Sequence, residues 1–152
     1  MLSINSLLSP ACVLIHPDAK DKASLIKMMI ESLEAAGKTN NTELLLKDVM
    51  AREELSPTGL NWECAVPHAH SSALEHTSIA SALLDKGIDF NAQDGYPARL
   101  IFLIAGPKDQ AGLHLKLLSR MARILNDREF RENLMNVSSE KDFISQIKKR
   151  ED

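Results

Sequence analysis

The sequence predicts an α/β fold in which a mixed β-sheet of about four or five strands is sandwiched between helices. Short apolar runs alternate along the chain with segments of helical periodicity, which is the first observation behind this prediction. The second is the run from Leu100 to Ala105, which is apolar without alternation, as expected of a strand covered on both faces. The third is the length of 152 residues, which suits a single domain, residues 1–152, with one core.

The first elements are a strand and a helix. The apolar run Cys12–Ile15 predicts the strand. Asp18 is the expected helix N-cap, with Asp21 three residues later, and Gly37 ends the helix as a residue just past its last turn. Asn40 repeats the capping pattern before a second helix, which carries Arg52 near its C-terminal end.

The middle of the chain predicts strands separated by turns. Pro57 and Gly59 mark a loop. Cys64–Val66 is the next expected strand, because the residue before a proline favours extended geometry. Ile79–Leu84 is another, and Asp94-Gly95 is a turn between it and the strand at Leu100. Three helices are expected afterwards, from about Gln110 to Leu125, over Phe130–Leu134, and from a Ser139/Asp142 capping box to Ile147.

Composition excludes several function classes. The net charge is −3, so no basic surplus indicates binding to a nucleic acid. No apolar run reaches the roughly 20 residues that span a bilayer, and no basic residue precedes Lys20 to begin a signal peptide. We therefore expect a cytoplasmic protein that does not insert into a membrane, with Cys12 and Cys64 as buried free thiols.

Histidine is the residue type that could carry chemistry here. Near pH 7 much of its imidazole is a neutral nucleophile, which a reversible phosphoryl relay needs. His68 follows Pro67 just past a strand end, and His114 lies at a helix start, where a neutral ring could donate to an anion. The alternatives are a strand-end residue at His68, a core histidine at His114, and a solvated or salt-bridged surface arginine at Arg52.

Several separated motifs together resemble the enzyme IIA domains of the phosphoenolpyruvate-dependent sugar phosphotransferase system. The resemblance is to the fructose–mannitol type, which includes nitrogen-regulatory relatives. The motifs are Arg52-Glu53-Glu54, Ser56-Pro57-Thr58-Gly59-Leu60, Ala65-Val66-Pro67-His68, Gly87-Ile88-Asp89-Phe90, Asp94-Gly95-Tyr96-Pro97, Leu100 to Ile104, and His114-Leu115.

The resemblance implies that His68 is the catalytic residue that accepts a phosphoryl group from a phosphohistidine carrier protein. It also implies that Arg52 and His114 flank that group, and that the next partner is a IIB component or a regulatory target protein. No cofactor is expected. Because no IIB segment is attached, we expect the chain to act in trans, whereas neither the sugar nor the oligomeric state is indicated.

The chain also departs from the family pattern. Family members usually carry glycines where this chain has Asn61 and Glu63, and Ala69 and His70 follow the active histidine where glycine and a polar or basic residue are commoner. Glu63 would bring a negative charge near an incoming phosphoryl group. The adjacent Trp62 is expected either to dock the carrier or to pack in the core.

Three other chemistries are set aside. His68 and His70 could bind zinc together with His76 or His114, but no cysteine pair or carboxylate–histidine helix motif accompanies them. A Cys64 nucleophile would need an exposed thiol of low pKa, and Cys64 lies in an apolar strand. The segment from Gly106 to Gly112 lacks the spacing and the lysine of a nucleotide-binding loop.

Overall fold

The computed structural model describes residues 2–152, and within them six strands form one mixed sheet. The strand order is β1-β5-β6-β3-β2. Strand β4 also pairs with β6, at residues nearer the carboxyl end of β6 than those that pair with β3. The central pair β5/β6 is antiparallel, whereas β1 pairs parallel with β5, and β3 and β4 pair parallel with β6. The strands are β1 (Val13–Ile15), β2 (Gly59–Leu60), β3 (Cys64–Ala65), β4 (His68–His70), β5 (Ser78–Ile88) and β6 (Ala98–Gly106).

Helices cover both faces of this sheet, which confirms the predicted fold class. Every residue of β6 from Leu100 to Gly106 is buried, as continuous apolar patterning predicted. Helix α2 packs on β5, α3 on β4 and α4 on β6. The helices are α1 (Ile4–Leu7), α2 (Lys22–Ala35), α3 (Thr42–Leu55), α4 (Ala111–Leu125), α5 (Arg128–Met135) and α6 (Glu140–Glu151). In the part of the chain that the structure describes, no helix is both long and apolar enough to cross a membrane.

Two predicted helix caps were placed too early. Asp21, not Asp18, is the N-cap of α2, because its carboxylate accepts from the Ser24 N–H while the Ser24 hydroxyl accepts from the Asp21 N–H. Asn41, not Asn40, caps α3.

Two of the four short strands, β2 and β4, were not predicted, whereas β1 and β3 lie within the expected strands Cys12–Ile15 and Cys64–Val66. Strand β4 begins at His68, which the sequence placed beyond a strand end, and β2 lies inside the segment predicted to be a loop. Strands of two or three residues are too short to show a period. Gly59 in β2 is required by a close approach, since a Cβ atom there would lie 2.5 Å from the Phe90 carbonyl oxygen.

The topology brings distant parts of the sequence to one end of β6. His68 lies opposite Ile104 in the β4/β6 register, near the carboxyl end of β6. The chain leaves β6 at Gly106 and enters α4, which carries His114, after a short 3₁₀ turn. Because α3 packs on β4, its C-terminal part reaches the same edge of the sheet.

Candidate active site

The three residues predicted from the sequence meet in one open cleft of about 580 Å³. Arg52 reaches it from α3, His68 from β4 and His114 from α4. His70 also lines this cleft. The remaining lining is one carboxylate and a set of apolar side chains, namely Asp48, Ala51, Leu55, Ala69, Ala111, Leu115 and Leu118.

His68 is oriented by the backbone just before it. Its Nδ1 lies 2.8 Å from the carbonyl oxygen of Val66, which can only accept, so Nδ1–H is the donor. The lone pair of the neutral ring is therefore on Nε2. Burial, together with the positive charge of Arg52, lowers the pKa of the half-buried His68 although the Val66 contact opposes this shift. With its pKa below the ordinary value of 6.5, the ring is mostly neutral at pH 7.

His114 lies edge-on to His68, with 5.6 Å between the ring centroids. It is only 3% exposed, and neither ring nitrogen has a hydrogen-bond partner among the described residues. Burial lowers its pKa to about 4, with smaller contributions from the charges of His70 and His68. His114 is therefore neutral at pH 7. Its ring N–H has no acceptor among the described residues, and the ring lies beside His68.

Arg52 lies in the last turn of α3. One of its N–H groups donates to the Ser56 carbonyl oxygen at 2.8 Å, which ties the side chain to the end of its own helix. A guanidinium has five N–H donors in a planar fork, so this tether leaves donors for an oxyanion in the cleft. The side chain is half-buried, so both a role beside His68 and the alternative of a surface residue stay predictions.

Glu53 belongs to the site's support, a role that the sequence analysis did not assign. It is 3% exposed, forms an ion pair with Lys22 at 3.0 Å, and accepts hydrogen bonds from both the backbone N–H and the hydroxyl of Thr58. The Thr58 carbonyl in turn accepts from the N–H of Val66, whose own carbonyl holds His68. A signal was present, because Glu53 continues the buried i, i+4 series of Leu45 and Val49.

The other candidate residues lie elsewhere or lack reactivity. Burial raises the pKa of the Cys64 thiol to about 12, so this cysteine is not a nucleophile. His76 lines a separate cleft beside Gly37 and Thr39. Among residues 2–152, no group of three or more histidine, cysteine or acidic side chains is arranged to hold a metal ion.

Glu63 and Trp62 are not at this cleft, which corrects the expected position of the Glu63 charge. Cys64 lies opposite Leu100 and His68 opposite Ile104, so the segment before Cys64 is at least about 13 Å from His68 along β6. Both Trp62 and Glu63 have positive φ angles, 68° and 61°, the conformation that glycine adopts most readily. The Trp62 ring packs against the Arg131 guanidinium, 5.1 Å away.

Trp62 is 54% exposed, so the core alternative is wrong and docking of the carrier stays a prediction. We expect Trp62→Ala to lower the free energy of unfolding by about 1–2 kcal/mol. The substitution removes the cation–π contact with Arg131 and the packing of the covered part of the indole ring. Unfolding of this variant should be measured by circular dichroism, because Trp62 is the only tryptophan and the variant therefore has no tryptophan fluorescence. A loss of about 3–5 kcal/mol, typical of a core aromatic, would contradict this expectation. If the tryptophan fluorescence of the wild-type chain does not change when carrier is added, Trp62 is not part of the docking surface.

The family comparison covers nearly the whole chain. Residues 6–150 match the model of the family described as phosphoenolpyruvate-dependent sugar phosphotransferase system, EIIA 2. The chain is 32% identical to the fructose-specific EIIABC component of Bacillus subtilis over 96% of its length, but spans only 23% of that protein. It is 31% identical to the fructose-specific EIIA component of Haloferax volcanii, covering 78% of this chain and 77% of that protein. A nitrogen regulatory protein of Bradyrhizobium diazoefficiens is 31% identical, covering 88% and 86%.

Solved structures share the fold. The nitrogen regulatory protein IIA-Ntr of Neisseria meningitidis superimposes with a TM-score of 0.88 at 27% identity, covering 95% of this chain and 98% of that chain. The mannitol IIA of Escherichia coli, in its complex with phosphorylated mannitol IIB, gives a TM-score of 0.79 at 21% identity, covering 94% and 99%.

Proposed function

The chain belongs to the EIIA 2 family of the phosphoenolpyruvate-dependent sugar phosphotransferase system, and from this premise we propose that His68 is its phosphoryl acceptor. Members of this family are phosphotransferase components that use a phosphohistidine intermediate. We assign the flanking roles to Arg52 and His114, and we treat residues 1–152 as one phosphocarrier domain. Phosphoenolpyruvate is a cytoplasmic metabolite, so the proposed reaction takes place in the cytoplasm.

The orientation of His68 is the observation that carries this proposal. With Nδ1–H bonded to the Val66 carbonyl, the Nε2 lone pair is available to attack phosphorus on an incoming phosphohistidine. A P–N bond to Nε2 forms while the P–N bond to the donor ring breaks, and the donor nitrogen leaves with the electron pair. The phosphoryl group needs no further reactant, and its charge is met by the guanidinium of Arg52 and the N–H of His114.

Incubation with a phosphorylated phosphohistidine carrier protein tests the assignment. We expect one phosphoryl group per chain by intact-mass measurement, lost in acid and retained in alkali, as phosphohistidine is. A chain that stays unlabelled with an active carrier would overturn the proposed function.

Arg52→Lys should slow transfer to His68 about tenfold or more, because an ammonium offers a point charge in place of the planar two-pronged contact of a guanidinium. Single-turnover labelling would give the rate, and thermal unfolding would check the fold. Arg99→Lys is the matched control, since Arg99 donates to the Leu84 carbonyl and does not line the site cleft. If Arg52→Lys transfers at the wild-type rate, Arg52 does not make the two-pronged contact and is a surface residue.

Two downstream partners fit the proposal. Fructose-specific relatives favour transfer to a IIB component, and the nitrogen regulatory relative favours a target protein whose binding depends on phosphorylation. The phosphorylated protein should be offered to purified IIB components, and both phosphorylation states should be used to capture binding proteins. Loss of the phosphoryl group to IIB would support relay, whereas state-dependent capture without loss would support regulation.

A further inference from the structure

His70 shares a face of β4 with His68. In a strand, residues i and i+2 point the same way, and the intervening Ala69 is buried. Both histidines line the site cleft, and the His70 side chain is exposed there. The resemblance to the family assigns no role to position 70, which is one of the positions where this chain departs from the family pattern.

The ring of His70 also lies against His114. Their centroids are 4.4 Å apart and their planes are tilted by 39°. Three imidazoles therefore surround one cleft, with His114 in contact with both of the others. This contact places His70 beside the ring that faces the proposed phosphoryl position.

The cleft is organised for an anion with several acceptor atoms. Its polar lining consists of one guanidinium, three imidazoles and the single carboxylate of Asp48. The two nitrogens of His114 are buried without a partner among the described residues. A bound anion would supply the acceptor that the His114 N–H needs. A phosphoryl group presents three strong acceptor oxygens, and each of them can accept more than one hydrogen bond, so it can use a donor in addition to those of Arg52 and His114.

We propose that His70 is a further catalytic residue, whose ring N–H is a third hydrogen-bond donor, beside Arg52 and His114, to the phosphoryl group on His68. This inference rests on the proposed function of His68. The donor lowers the energy of the phosphorylated protein as well as of the transition state, because the oxygens carry negative charge in both. His70 therefore affects the transfer rate and the equilibrium between carrier and acceptor.

Three substitutions separate donation from stacking. His70→Phe keeps a planar ring against His114 and removes the N–H, whereas His70→Asn and His70→Gln each keep an N–H donor without the ring. We expect His70→Phe to slow labelling of His68 at least about tenfold and to lower the phosphorylated fraction at equilibrium with the carrier. We expect the better of the two amide variants to recover most of both quantities. His76→Phe, in the separate cleft, is the control that should match wild type.

Each outcome decides the inference. A His70→Phe variant with wild-type rate and equilibrium would overturn the donor role. Amide variants as slow as His70→Phe would overturn it as well, because a retained N–H donor would then not restore transfer. A fast His70→Phe variant with slow amide variants would assign His70 to positioning His114 by stacking. In each case the wild-type chain still labels on His68, so the proposed function stands. A wild-type chain that does not label would instead overturn the proposed function itself.

Discussion

His68→Ala should gain no phosphoryl group from a phosphorylated carrier, under conditions in which the wild-type chain gains one. The substitution removes the only nitrogen nucleophile that the Val66 carbonyl orients into the cleft. The fold should survive, because His68 is half-buried and contributes one backbone hydrogen bond, worth about 0.5–1.5 kcal/mol. Intact-mass measurement at neutral or alkaline pH reads the result, and thermal unfolding checks the fold.

His76→Ala is the matched control for this loss. It removes an exposed imidazole in a different cleft, so it should label like wild type. Equal labelling of His68→Ala would move the acceptor elsewhere, and His70 would then be the first residue to test, since it shares the cleft.

The predictable part of the molecule consists of elements with a long period or an unbroken apolar run. The buried stripe of α4, with Leu117, Met121 and Leu125, and the run in β6 follow directly from burial on one or both faces. Arg52 and His114 were chosen from the resemblance and not from local periodicity, and both line the same cleft as His68. Their role beside a phosphoryl group stays a prediction.

The unpredicted part depends on contacts between distant segments. Strand β4 exists because His68 and His70 pair with Ile104 and Gly106, which no local pattern reveals. The support from Glu53 passes through Thr58 to Val66, and the sequence shows only a charge on an apolar stripe. The Glu63 charge was expected near the phosphoryl group because the chain separation is short, whereas the register along β6 places it at a distance.

His114→Ala should slow phosphoryl transfer to His68 by about 10²–10³, the usual effect of removing one donor to a developing negative charge. The N–H of His114 is buried and already dehydrated, so it needs little reorganisation when the phosphoryl group arrives. Single-turnover labelling should show the loss in the rate constant, with His68 still the labelled residue.

Stability measurements distinguish this role from packing. His114→Ala removes two buried nitrogens that have no described partner, so the lost packing is partly offset and unfolding at pH 7 should change little. Met121→Ala, also buried on α4, is the control that should cost about 2–5 kcal/mol of stability while transfer per folded molecule stays unchanged. A destabilised His114→Ala variant with normal transfer would make His114 a core residue.

The pH dependence of stability gives an independent check on His114. Its pKa is about 4 in the folded chain, below the ordinary value of 6.5, so between these values the unfolded chain binds more protons than the folded one. Stability contributed by the neutral ring is therefore present above about pH 6.5 and is lost as the pH falls toward 4. His114→Ala should flatten this part of the stability profile. An unchanged slope would mean that the pKa of His114 is the same in the folded and unfolded chains, which would contradict the lowered pKa of the buried ring.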